Sequence, residues 1–210
     1  TTAQVSKLTT TQVSNLTSAQ LNLMETTDLA ALTTTQVASL SAATQLDGLD
    51  TTHLGALGTA QVAGLTSTQL NALGSTNLQA LSTTQAAALT TTQVSNLTNG
   101  QLNLMETSDV AVLSTAAVAS LTTAQLNGLN STNLQALGTA QYAALTTTQA
   151  SNLTNGQLNL MQTSDVAALS TAAVASLTTA QLNGLNSTNL DALTTAQVSK
   201  LTTTQVSNLT

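Results

Sequence analysis

The eight-residue unit Thr-Thr-Thr-Gln-Val-Ser-Asn-Leu at residues 90–97 constrains this chain more than any other feature. It recurs unchanged at 9–16 and 202–209, and with Ala150 in place of Val at 146–153. The remainder consists of edited copies, giving 26 octads that end in Leu8, Leu16, Met24, Leu32 and so on to Leu209. One extra residue lies within 41–49, and Thr210 trails. A fixed period of this kind decides the architecture before composition does.

Each octad carries its own helix-start signal. A Ser or Thr followed three residues later by Gln is a capping box, in which each side chain satisfies a backbone N–H that the first helical turn leaves orphaned. The first position is Thr, Ser, Asn, Asp or Gly in 23 of the 26 copies; Glu25, Glu106 and Gln162 are the others, each following a Met. The fourth position, N3 of the box, is Gln in 17 copies. It is otherwise Asn, Asp, His53, Ala117 or Ala173. An apolar residue, two small residues and Leu follow, which puts the two anchors at i and i+3 on one helical face.

Anchors alternately three and five residues apart cannot share a face of a strand. One continuous helix fails as well, because eight residues overshoot two turns by about 80° and the apolar stripe would wind around it. The pattern predicts an all-α fold, a compact α-solenoid of 26 very short capped helices. The Thr, Val and Gln content makes a β-solenoid or cross-β stack the alternative. Residues 1–210 read as one continuous array with no linker. The stretches 90–145 and 146–201 are near copies, a super-repeat seven octads long. Octads lacking distinct terminal caps suit head-to-tail stacking, because solenoid ends normally carry polar caps and a heterologous contact builds open filaments. Residues 1–16 are identical to 194–209, as in a window cut from a longer array.

Composition excludes several functions. With a net charge of −6 and only Lys7 and Lys200 as basic residues, the chain has nothing to neutralise phosphate, which argues against nucleic acid and anionic membrane surfaces. No apolar run of about 18 residues is present to span a membrane, and no basic segment precedes an apolar one as in a signal peptide. Absence of Cys removes disulfide and thiolate chemistry. His53, the single His, stands beside no nucleophile and orienting group, so no catalytic role is expected.

For a metal, the candidates are Glu25 with Asp28 and Glu106 with Asp109, recurring three residues apart, with Gln162 and Asp165 as the third copy. Several oxygen ligands in a Thr-rich turn would suit calcium. The plainer expectation is that Asp replaces Gln at N3, where negative charge favours the helix N-terminus, and that no cofactor is bound. Asp47 and Asp50 flank the insertion and read as a turn. Met24, Met105 and Met161 read as core fillers. Asn99-Gly100 and Asn155-Gly156 read as variants of a first helical turn.

Thr at the first two octad positions would line the array with hydroxyls and methyls, resembling the Thr-rich faces of ice-binding proteins; a carbohydrate surface is a related target. The pattern Leu-Thr-Thr-Thr-Gln-Val-x-x-Leu, at 89–97 and 201–209, resembles low-complexity repeat regions of very large secreted bacterial surface proteins, exoproteins or adhesins. That resemblance implies an extracellular, acidic, cysteine-free stalk or fibre. The expected function is accordingly structural rather than enzymatic.

Overall fold

The computed structural model describes residues 1–209, in which every octad forms one short helical segment and no strand occurs. The chain is all-α, and the β alternative is not adopted. Helices such as Thr10–Ser14, Thr34–Ala38 and Asn99–Leu104 run four to six residues, little more than one turn each.

The capping box starts them as the sequence requires. Thr90 is extended (φ −78°, ψ 160°), its Oγ1 accepts the Gln93 N–H at 3.2 Å, and Gln93 Oε1 accepts the Thr90 N–H at 2.8 Å. Termination needs no left-handed residue, and among the described residues none, glycine included, has a positive φ. The helix Ser67–Ala72 instead runs into extended Leu73 (φ −63°, ψ 129°) and extended Gly74 (φ −66°, ψ 163°), the N-cap of the next. Two consecutive extended residues thus turn the chain and restart it.

Both anchors face inward. Val62, Leu65, Leu70 and Leu73 are all buried, and each such side chain contributes roughly 1.5–3 kcal/mol. Tyr142 occupies the fifth position of its octad and is buried too, its hydroxyl donating to the Leu134 carbonyl at 2.8 Å. Small residues at the sixth and seventh positions allow close approach. At Gly184 a Cβ would overlap the Asn155 side chain, whose amide donates to the Ala180 carbonyl at 3.2 Å.

The chain groups into two compact units, Thr1–Leu113 and a second beginning at Ser114, each an α-solenoid. In the first, Thr34–Ala38 packs on Thr59–Ala63 and Thr26–Leu29 on Thr51–Gly55, three octads further on. In the second, Thr139–Ala143 packs on Thr163–Ala168 and Thr171–Ala175 on Thr195–Val198.

Side-chain amides fix the pitch. Gln93 Nε2 donates to the carbonyls of Val62 (2.8 Å) and Leu65 (2.7 Å), 31 and 28 residues earlier and four octads back. Gln181 repeats this in the second unit, to Ala150 (2.9 Å) and Leu153 (2.8 Å). Asn at the sixth position reaches the other way: Asn71 Nδ2 donates to the Asn96 carbonyl 25 residues later, and its Oδ1 accepts the Thr98 N–H 27 residues later. A turn therefore takes more than three octads and fewer than four, close to three and a half. The seven-octad super-repeat is two such turns, which is why an odd number of octads comes back into register.

Replacing Gln93 with Ala removes the cap bond, leaves the buried Leu65 carbonyl unpartnered and leaves that of Val62 with only the Leu65 N–H. A loss of about 2–4 kcal/mol is expected in urea unfolding. Gln12, exposed in the first turn, makes only the cap bonds. Gln12→Ala is expected to cost about 1 kcal/mol. Equal costs would show that the inter-turn bonds add nothing.

Candidate functional site

Polar side chains are concentrated at the N3 position, which forms an internal ladder. A buried Gln there typically serves two helices, its Oε1 on the N-cap of its own and its Nε2 on the C-terminal carbonyls of the turn before. Gln61, Gln69, Gln85, Gln149 and Gln197 all do so and are buried. Helix ends leave orphan N–H and C=O groups, and one amide satisfies both kinds.

His53 stands in this ladder as a substitute for Gln. Its Nε2 lies 2.9 Å from the Met24 carbonyl and its Nδ1 2.8 Å from Asp50 Oδ1, so both ring nitrogens face acceptors. The imidazolium, a donor at both nitrogens, fits that setting. The Met24 carbonyl first, then Asp50, raise the His53 pKa above its ordinary 6.5. Asp50, the N-cap of the same helix, accepts the His53 N–H at 2.9 Å, and its pKa is lowered chiefly by that bond. Sequence reasoning identified the cap position of His53 but not its bond to the preceding turn, 29 residues away.

Shorter N3 residues fall once per turn. Asn77, Asp109, Asn133, Asp165 and Asn189 are spaced alternately by four octads and three, and all five are buried. Asn77 Nδ2 donates to the Asp47 (2.7 Å) and Leu49 (3.0 Å) carbonyls, and Asn189 Nδ2 to those of Leu158 (2.7 Å) and Met161 (3.3 Å).

The metal candidates divide between outside and inside. Glu25 and Glu106 are exposed N-caps that make no side-chain cap bond. Asp28 is half-buried. Asp109 and Asp165 are buried, and burial raises both pKa values. Among the described residues no three His, Cys, Asp or Glu side chains gather to hold a metal ion.

The insertion becomes one π-helical turn, Ala42–Leu46, in which Leu46 N–H bonds to the Ser41 carbonyl (2.9 Å) and Asp47 N–H to that of Ala42 (3.1 Å). Such turns absorb a single extra residue inside a helix. Gln45 keeps its place in the ladder, bonding to Val13 (3.0 Å) and the Leu16 carbonyl. Cavities flank this turn: one of about 540 Å³ lined by Asp47, Asp50, Thr51, Ser75 and Thr76, and one of about 310 Å³ beside Ser14 and Thr44. Asp47 Oδ1 accepts the Gly74 N–H at 2.6 Å, so this carboxylate ties two turns together.

Of the methionines, Met105 and Met161 are buried and Met24 half-buried, consistent with filling the core. Asn99 and Asn155 open helices Asn99–Leu104 and Asn155–Leu160, as variants of a first turn. The boxes of those helices are altered by the Asn ladder, an interaction invisible locally. Asn127 Oδ1 takes the Thr154 N–H at 2.9 Å, and Gln157 Oε1 is left without a partner. Second-position Thr such as Thr34 and Thr59 are exposed, whereas first-position hydroxyls such as that of Thr66 cap their helices.

A family model described as the ALTTAQ repeat matches residues 43–75, 103–139 and 158–195, together just over half of the chain. No curated protein matches the chain.

His53 gives a pH test. Its folded pKa is raised, so its contribution to stability is fully present below its ordinary value of 6.5 and lost as pH rises through the folded value. Urea midpoints should fall across that window, and His53→Gln, which restores the common ladder residue, should flatten the His53 part of the slope.

Proposed function

The chain belongs to the ALTTAQ-repeat family, and on that footing we propose that it serves as a structural module, the stalk or fibre-forming segment of an extracellular bacterial surface protein. The observation that carries this reading is the ladder itself. Buried Gln, Asn and His side chains bond to backbone groups of their own and adjacent turns, an arrangement suited to rigidity rather than to turnover. The bacterial and extracellular setting rests on the resemblance of residues 89–97 and 201–209 to exoprotein and adhesin repeats. A non-enzymatic role is part of the same proposal.

Further stacking is supported by surfaces of the array. Leu190, Val198 and Val206 are 39%, 47% and 52% exposed, whereas Leu182 at the same octad position is 1% exposed. Gln4, Gln12 and Gln20 are exposed, with their Oε1 atoms taken by N-caps. Apolar anchors needing cover and amides needing carbonyls are complementary, whether the partner is more repeat in the same polypeptide or a second copy. Rows of exposed Thr support a second reading, binding of ice or a carbohydrate surface.

Negative-stain electron microscopy over a concentration series tests the self-association. Filaments of uniform width are expected, and Val198→Glu with Val206→Glu should abolish them by placing charge on the uncovered face. Particles that remain short and monodisperse at all concentrations would count against end-to-end association. Thermal hysteresis that disappears when second-position Thr residues are replaced would establish the second reading instead.

A further inference from the structure

Where the N3 residue is Gln, as at Gln93, its two functional atoms have separate tasks: the oxygen takes an N–H at its own helix start, and the NH2 group donates to carbonyls four octads back. Asn at N3 keeps the second task, while the N–H at its helix start goes to a side chain of the preceding turn, as Gly74 N–H to Asp47 and Asn186 N–H to Asn159. Asp165 has the shape of Asn but carries oxygen at both places. One carboxyl oxygen performs the first task, accepting from the Gln162 backbone N–H with help from the Ser164 hydroxyl. Oδ2 is buried and has no partner. By the ladder register, the carbonyls of Leu134 and Leu137 correspond to those of Leu158 and Met161, which accept from Asn189 Nδ2. The Leu134 carbonyl already accepts the Tyr142 hydroxyl and the Leu137 N–H, which leaves the Leu137 carbonyl as the acceptor of this register position. A carbonyl oxygen facing an ionised carboxylate would repel it, and burying that charge without a counterion is costly.

We propose that Asp165, and Asp109 at the equivalent place one super-repeat earlier, are folded as neutral carboxylic acids whose Oδ2–H replaces the amide donor of Asn, and that deprotonation loosens the array at that turn. A proton on Oδ2 converts the misplaced acceptor into the donor that the position requires. The surroundings of Asp165 offer no cation to hold it ionised. Thr139–Ala143, packed on one side, contributes the Tyr142 hydroxyl, itself buried, with its own pKa pushed up by that burial and then by Asp165. Ser187–Asp191, on the other side, contributes only Asp191, which is exposed. Around Asp109 within the first unit, Thr83–Ala87 has no titratable side chain, and Glu106 on its own turn adds negative charge that reinforces the effect of burial.

Stability from these groups is fully present below the ordinary carboxyl value of 3.8 and declines as pH rises toward the folded value, the reverse of a salt-bridged Asp. An array that repeats this residue every seven octads would accumulate the dependence with length.

The test uses the full chain in a His53→Gln background, so that the imidazole does not contribute. Urea unfolding from about pH 4 to about pH 8 should show the unfolding constant rising by at most tenfold per pH unit for each carboxyl. The Asp109→Asn, Asp165→Asn double variant should lose that rise and unfold at higher urea at the upper end of the range. Infrared spectra of the unsubstituted chain give a readout that does not depend on the variant folding: the C=O stretch of a protonated carboxyl should persist well above pH 4 and be absent from the double variant. Identical pH profiles for the two proteins, or a spectrum with only ionised carboxylates above that pH, would overturn the proposal.

Discussion

A helix of five residues has almost as many unsatisfied backbone groups as satisfied ones, and an array of such helices depends on something that pairs the remainder. The N3 glutamine does this with one planar amide. Its oxygen closes the N-terminus of its own helix, and its nitrogen closes the C-terminus of a helix one turn away. Burial of the two aliphatic anchors draws the turns together, but burial is non-directional. The amide is directional and forces each octad to sit in one place above the turn beneath it. Neither interaction would hold a single octad, which explains why stability here belongs to neighbouring turns jointly.

Variation along the chain follows from that division of labour. Asn or Asp at N3 has a shorter reach and, from Asn77 to Asn189, falls once per turn, as does the sixth-position Asn from Asn71 to Asn183. Both of these series alternate between steps of four octads and three. His53 keeps both bonds with an imidazole, and Asp165 keeps the shape while reversing the polarity of one atom. The extra residue of 41–49 is taken up between N-cap and amide, so Gln45 stays in line and the disturbance appears as cavities beside the turn rather than as a slipped register.

Much of the architecture was legible locally. The recurrent cap signal, the i, i+3 anchors and the failure of both strand and continuous-helix periodicities point to short restarted helices, and these form. The carboxylates were harder. Spacing alone placed Glu106 and Asp109 together as metal candidates, whereas one faces solvent and the other is buried at N3. The Gln at N3 was read as half of a capping box because only that half lies within eight residues; its other partners are 28 and 31 residues away.

The sequence by itself determined where each helix starts, which residues enter the core, and that the pattern repeats both octad by octad and over seven octads. Only the tertiary structure decided how many octads complete a turn, which side-chain atoms cross between turns, and which carboxyls lose contact with water. The reason is the range of the forces involved. Caps and anchors act within one octad and leave a local signature, while the pitch is set by amide-to-carbonyl bonds between segments far apart in sequence. The seven-octad period records that pitch as two turns, but it becomes readable as such only when a bond spanning one turn has been measured.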